Sequence, residues 1–171
     1  MHVFITGGTG TIGTAVVAEL LAHGHTVLGL ARSDASATTL EAAGAEALRG
    51  SLTDLDVLRD GAARADGVIS LAFSRDYSSA EALEQGLTEE HDAMATLGAA
   101  LVGSGKPLVT VSGTPWVPGR ASTESDPLPV EGPVASRAVA VNDLLALADQ
   151  GVRTSAVRMP RTVHELSLIH I

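Results

Sequence analysis

The sequence predicts an α/β protein built on one doubly wound parallel sheet of about six strands. Three observations carry this. The hydrophobic pattern switches repeatedly between the strand period and the helix period, with a short turn signal at each switch. A glycine-rich turn, Gly7 to Gly13, separates the first strand from the first helix. Strands that alternate with helices require crossovers, which run right-handed and cover a parallel sheet on both faces.

His2 to Thr6 reads as a buried strand. The helix after the glycine turn places Ile12, Val16 and Leu20, with Gly13, Val17 and Leu21, toward the sheet. Gly24 ends that helix as a C-cap glycine, and Thr26 to Leu30 is the second strand. Ser33 and Asp34 can cap a short alanine-rich helix that reaches Ala43, and Ala47 to Arg49 is a weaker third strand. Thr53 or Asp54 caps a helix carrying Leu55 and Leu58, and Gly67 to Leu71 is the fourth strand. A long helix from Ser79 to Val102 carries Leu83, Leu87, Met94, Leu97 and Leu101. Leu108 to Ser112 is the fifth strand, Val134 to Ala148 a helix, and Val152 to Arg158 the sixth strand. Between strand five and the last helix, Thr114 to Pro133 lacks periodicity and holds five of the seven prolines. A stretch of that length inside a compact domain is usually a functional loop.

Composition narrows the function. Apolar residues make up 45% of the 171 residues, enough to bury a core. Aromatics are only 2%, namely Phe4, Phe73, Tyr77 and Trp116, so alanine, leucine and valine build that core. A formal net charge of −9 argues against nucleic acid and against anionic membrane surfaces. The chain has no cysteine, which excludes disulfide scaffolds and thiolate chemistry. No apolar run is long enough to span a bilayer, and a strand follows Met1 directly, so a cytoplasmic protein is expected.

Thr6-Gly7-Gly8-Thr9-Gly10-Thr11-Ile12-Gly13 fits G-x-G-x-x-G at Gly8, Gly10 and Gly13, and T-G-x-x-G-x-x-G at Gly7, Gly10 and Gly13. Such a turn lets the backbone approach a pyrophosphate and lets the helix lie tight on the strand. The helix then offers free N–H groups and a partial positive charge to the phosphates. The alternative is a structural turn without a ligand. The strand–turn–helix setting favours the nucleotide.

On these residues the sequence resembles the short-chain dehydrogenase/reductase superfamily, in its extended or atypical branch of NAD-dependent epimerases and dehydratases. The resemblance runs from Met1 to about His164. It includes Gly24-His25, Gly50-Ser51-Leu52-Thr53-Asp54, Leu71-Ala72-Phe73, Ser112, Thr123-Glu124-Ser125-Asp126-Pro127-Leu128 and Arg158-Met159-Pro160. It implies a Rossmann fold with strand order 3-2-1-4-5-6 over residues 1–164. It also implies a dinucleotide held by Gly7, Gly8, Thr9, Gly10, Thr11, Ile12 and Gly13. Ser51 and Leu52 would face the adenine, Ser51 through its backbone, because relatives usually carry an aspartate there. Leu71, Ala72 and Phe73 would line the ribose, and Pro160 to Val163 would lie near the nicotinamide. A homodimer through the helices 79–102 and 134–148 is the common assembly of such proteins.

An acidic residue ending strand two favours NAD, and an arginine there favours NADP. This chain has Arg32 and Ser33, a planar donor fork and a hydroxyl suited to phosphate, so NADP is expected ahead of NAD. Asp34 reads as a helix cap.

Active members of the superfamily use a Tyr-x-x-x-Lys pair on the helix after strand five. Here the only tyrosine is Tyr77 and the only lysine Lys106, so the pair is absent in any register. Counting from Glu124, its positions fall near Val134 and Ala138. Ser112 matches the superfamily's substrate-hydrogen-bonding hydroxyl and is the catalytic candidate. Thr114, Tyr77, Glu124, Asp126, Arg137 and His164 are substitutes for the lost acid–base groups. His91 reads as a packed core or interface histidine, and Tyr77 as partly buried. The histidines form no metal signature, so no metal is expected. Residues 165–171, Glu-Leu-Ser-Leu-Ile-His-Ile, read as a non-native tail resembling sequencing-adapter read-through, or else as a short strand. Two functions stay open: an NAD(P)-dependent oxidoreductase or epimerase acting on a small molecule, or a catalytically inactive NAD(P)-binding sensor on the same fold.

Overall fold

The computed structural model describes residues 1–74, 76–129, 131 and 135–160. Strands β1 (His2–Thr6), β2 (Thr26–Ala31), β3 (Glu46–Arg49), β4 (Gly67–Ser70), β5 (Pro107–Gly113) and β6 (Arg153–Met159) form one sheet. Helices α1 (Thr11–Ala22), α2 (Asp34–Ala42), α3 (Leu55–Arg64), α4 (Ala80–Ala99) and α5 (Ala135–Ala146) connect them. Every pairing is parallel and the spatial order is β3-β2-β1-β4-β5-β6. The chain therefore winds outward from β1 in one direction, then returns to β1's other side at β4. In open α/β sheets a ligand crevice lies at such a reversal, beyond the carboxyl ends of the strands.

Local chemistry sets the element ends. Gly24 takes φ +75° after α1, where its N–H bonds the Leu21 carbonyl at 3.0 Å. Ser33, rather than Asp34, caps α2: its hydroxyl accepts the Ser36 N–H at 3.2 Å. Ser79 caps α4 in the same way through Ala82 at 3.1 Å. The expected helix over 79–102 begins and ends inside those limits. The helix expected to reach Ala148 stops at Ala146 and tightens into a 3-10 turn, Leu147–Gln150. The fourth strand closes at Ser70, because Leu71 turns away from β5.

Two apolar clusters cover the two faces. Phe4, Leu28, Val68 and Leu108 pack with Leu58, Leu97, Ala138 and Val141 of α3, α4 and α5. Ile5, Val17, Val27 and Leu40 form the smaller cluster under α1 and α2. Phe4 is the one aromatic side chain that is fully buried among the described residues. Gly61 makes room for it, since a Cβ there would stand 2.6 Å from the ring.

No described helix is long and apolar enough to cross a membrane.

Candidate functional site

Gly7 leaves β1 with φ +73°, and a Cβ there would lie 2.7 Å from the backbone nitrogen of Ala72. The turn ending β1 and the turn ending β4 thus touch backbone to backbone. Gly10 is the N-cap of α1 in an extended conformation, and no side chain caps the helix. Gly10 N–H bonds the Gly7 carbonyl at 3.0 Å, and Thr14 N–H bonds the Gly10 carbonyl at 2.9 Å. The first N–H groups of the helix, from Thr11 to Gly13, point out of this turn with no side-chain cap. Gly13 packs under the loop, where a Cβ would come within 2.0 Å of the Gly7 carbonyl oxygen. Gly8 is buried against Ile5, Val17 and Leu40. Thr9 and Ile12 are half-buried beside it, and Thr11 is exposed.

A row of hydroxyls supports the same edge. The fully buried Thr6 hydroxyl accepts the Ala72 N–H at 3.3 Å and lies 3.5 Å from the Ser70 hydroxyl. Thr110 on β5 donates to the Ser70 carbonyl at 3.3 Å. Ser112 shares the Thr110 face of β5, two residues past the last residue paired with β4, and sits half-buried beside Arg158 of β6. Leu71, Ala72 and Phe73, which follow β4 at the same carboxyl edge, are each half-buried. Pro160 follows β6 and is exposed.

At the other end of the crevice, Arg32 follows β2 and is exposed. Asp34 is the first residue of α2 and holds Arg49, which ends β3, at 2.7 Å. The Ser33 hydroxyl is engaged in the α2 cap and with Ser36 at 2.9 Å, so its phosphate-binding capacity is reduced. Ser51 differs from expectation. Its N–H and its hydroxyl both donate to Asp54 Oδ2, at 2.7 and 2.8 Å. Its backbone donor is therefore taken, and these contacts draw the Asp54 carboxyl below its usual range. Leu52 packs its side chain on the larger core cluster.

The substitutes for the missing acid–base pair divide sharply. Asp126 is a correction: it is buried in the loop after β5 as a clasp, not available as an acid or base near neutrality. Arg120 grips both carboxylate oxygens, Nη1 lying 2.8 Å from Oδ2, and the Thr123 N–H donates at 2.7 Å. These partners hold the Asp126 carboxyl far below the ordinary carboxylate range, Arg120 first. Arg158 closes the clasp onto the sheet by donating to the Thr123 carbonyl at 3.0 Å. Arg137 on α5 is bound to Glu90 of α4. Thr114 donates to the Met159 carbonyl at 2.9 Å. Glu124 is exposed. Tyr77 is not partly buried but 64% exposed, its ring 6.4 Å from that of Phe73. His91 bridges α4 and α5 through Asp143 at 3.3 Å. Val134, Val163, His164 and residues 165–171 lie outside the described residues. Among the described residues, no three His, Cys, Asp or Glu side chains gather as a metal site.

Sequence reasoning missed Glu90. The side chain is 6% exposed and accepts from Arg137 at 2.7 to 3.1 Å. Burial pushes its carboxyl up, and Arg137 partly offsets this. The available signal was its place between Leu87 and Met94 on the buried stripe of α4.

A model described as the NAD dependent epimerase/dehydratase family matches residues 3–161. An uncharacterized protein of Saccharomyces cerevisiae is 39% identical over 167 residues, covering 96% of this chain and 55% of that protein. An uncharacterized protein of Schizosaccharomyces pombe is 37% identical over 164 residues, again 96% of this chain and 55% of that one. The chain thus spans about half the length of the curated relatives it matches. A short-chain dehydrogenase/reductase superfamily protein from Agrobacterium tumefaciens with bound NAD superposes with TM-score 0.76 at 22% identity, over 92% of this chain and 48% of that one. A UDP-glucose-4-epimerase from Stenotrophomonas maltophila, with bound NAD and formylated UDP-arabinopyranose, gives 0.77 at 21% identity, over 92% and 52%. At these identities the two structures share the fold.

Proposed function

The chain belongs to the NAD-dependent epimerase/dehydratase family, and from that premise we propose that it binds a dinucleotide over the carboxyl edge of the sheet, NADP in preference to NAD. One observation carries the reading: the uncapped amino end of α1 opens at the reversal of strand order, beside a glycine seated on the Ala72 backbone. Gly7, Gly8, Thr9, Gly10, Thr11, Ile12 and Gly13 form the pyrophosphate cradle, the uncapped N–H groups from Thr11 to Gly13 donating and the helix charge adding attraction. Arg32 faces the 2′-phosphate, with Ser33 a weaker second donor. Ser51 and Leu52 flank the adenine, Leu71, Ala72 and Phe73 the ribose, and Pro160 the nicotinamide end.

When bound, the dinucleotide supplies hydride exchange at its nicotinamide ring. The chain's own contribution is position. Ser112 lies where a substrate oxygen would meet that ring, and its hydroxyl can donate to the oxygen. A serine hydroxyl does not act as a general acid near neutrality, so the proton comes from elsewhere and turnover is slow. A small-molecule carbonyl or alcohol is the substrate class of this reading, with oxidoreduction or epimerisation as the reaction. A cytoplasmic location and a homodimer through α4 and α5 belong to the same reading. The two helices border an open groove lined by Leu83, Leu87, His91 and Val139, and Val139 is 49% exposed.

A second reading, a nucleotide-binding sensor without turnover, is favoured by one observation. Asp126 and Arg137, two of the charged substitutes for the lost pair, are engaged by Arg120 and Glu90. Calorimetric titration of NADPH and NADH tests the binding. The parent should saturate, and Gly10→Val should not bind while it stays folded, because the backbone at Gly10 is extended, with φ −80°, and open to an L side chain. Steady NADPH consumption with a panel of carbonyl compounds then separates enzyme from sensor.

A further inference from the structure

Glu90 and Arg137 form the most deeply buried ion pair among the described residues, with side chains 6% and 28% exposed. Arg137 uses Nε and Nη2, so the carboxylate grips the edge of the guanidinium and fixes its plane. The guanidinium carbon stands 4.6 Å from the centroid of the Phe73 ring. Phe73 belongs to the turn whose Ala72 backbone receives Gly7 and whose Ala72 N–H is held by Thr6. A continuous line of contact thus runs from a buried carboxylate on α4, through α5, to the turn that abuts the glycine loop. Gly86 of α4 also lets the helix approach this segment, since a Cβ there would lie 2.6 Å from the Ser74 Cβ.

The energetics say what the pair is for. Desolvating two charges offsets most of their attraction, and two apolar side chains of similar volume commonly stabilise a fold as well or better. What apolar side chains cannot supply is an oriented cation over an aromatic face. Arginine is also a permanent cation, so it holds its neighbours without relaying a proton.

We propose that Glu90 and Arg137 are positioning residues for the nucleotide site: the carboxylate fixes the guanidinium, the guanidinium fixes the Phe73 ring, and the ring holds the Leu71–Phe73 turn against the glycine loop. The effect on affinity rests on the nucleotide-binding reading above; the effect on the turn does not.

The test uses Glu90→Met/Arg137→Met, together with Phe73→Leu, which leaves the ion pair intact. Melting temperature, amide hydrogen exchange at Ala72 and NADPH affinity are measured on each. The double variant should melt at or above the parental temperature, yet exchange Ala72 about tenfold faster and bind NADPH about tenfold more weakly. Phe73→Leu should reproduce both changes, and it decides the matter if the double variant does not fold. Parental exchange at Ala72 in Phe73→Leu, or in a folded double variant, overturns the proposal. If the parent binds no NADPH, the nucleotide reading fails, while Ala72 exchange still judges the positioning role.

Discussion

Gly7→Ala should weaken the fold and the site together, and Gly24→Ala provides its control. Both glycines sit in the left-handed region, at φ +73° and +75°. An L-residue there costs about 1–2 kcal/mol at either position. The surroundings differ. At Gly24 a Cβ meets nothing within 4 Å, whereas at Gly7 it stands 2.7 Å from Ala72 N and 2.9 Å from Ala72 Cα. Those are backbone atoms on the next strand's turn, so relief requires β1 and β4 to part at their carboxyl ends. Overpacking of that kind adds about 1–3 kcal/mol, giving about 2–5 kcal/mol for Gly7→Ala against about 1–2 for Gly24→Ala. Urea unfolding followed by circular dichroism reads both losses, with unchanged slopes confirming a like-for-like comparison. Only Gly7→Ala should also reduce dinucleotide affinity. Equal losses for the two variants, or a Gly7→Ala protein that binds NADPH as the parent does, would refute the backbone-contact argument.

Arg32→Ala should erase a preference for NADPH over NADH of about tenfold or less, near 1.4 kcal/mol, while NADH affinity stays nearly constant in calorimetry. The folded Asp126 carboxyl sits below its unfolded value of about 3.9, so the clasp stabilises above that pH and is lost as pH falls through the folded value. Urea unfolding at neutral pH and in acid should read this loss, and Asp126→Asn should remove that part of the pH dependence. If the protein turns over a carbonyl substrate, Ser112→Ala should lower kcat by about a hundredfold to a thousandfold, and Tyr77→Phe should leave it unchanged. A larger loss in Tyr77→Phe than in Ser112→Ala would reassign the chemistry.

Much of the fold was legible because its signals are local. Gly7 to Gly13 between a strand and a helix, Gly24 at a helix end, and the apolar stripes of α1 and α4 each state their structure within a few residues. The ends of elements were less legible. Leu71 continues the apolar run of β4 in sequence, but in space it follows the Thr6 carbonyl and leaves β5. The site divides in the same way. Its glycines and Ser112 could be placed from the strand pattern, since a strand end fixes where a residue lies. The fate of its charges could not. Asp126 depends on Arg120 six residues earlier, its loop is tied to β6 by Arg158 through the Thr123 carbonyl, and Arg137 depends on Glu90 from another helix. Such pairings are made by packing. Ser51 is intermediate: Asp54, which captures its N–H, lies three residues away, where the sequence offers Thr53 or Asp54 as the helix cap.

The central claim is that a dinucleotide places its pyrophosphate at the amino end of α1. Backbone amide resonances followed through an NADPH titration test it most directly. The account predicts saturable shifts concentrated at Gly10, Thr11, Ile12 and Gly13, with smaller ones at Ala72 and Phe73, all following one binding curve. Saturable binding that leaves those amides still, and moves residues at the opposite edge of the sheet or on the outer face of α4, would contradict it.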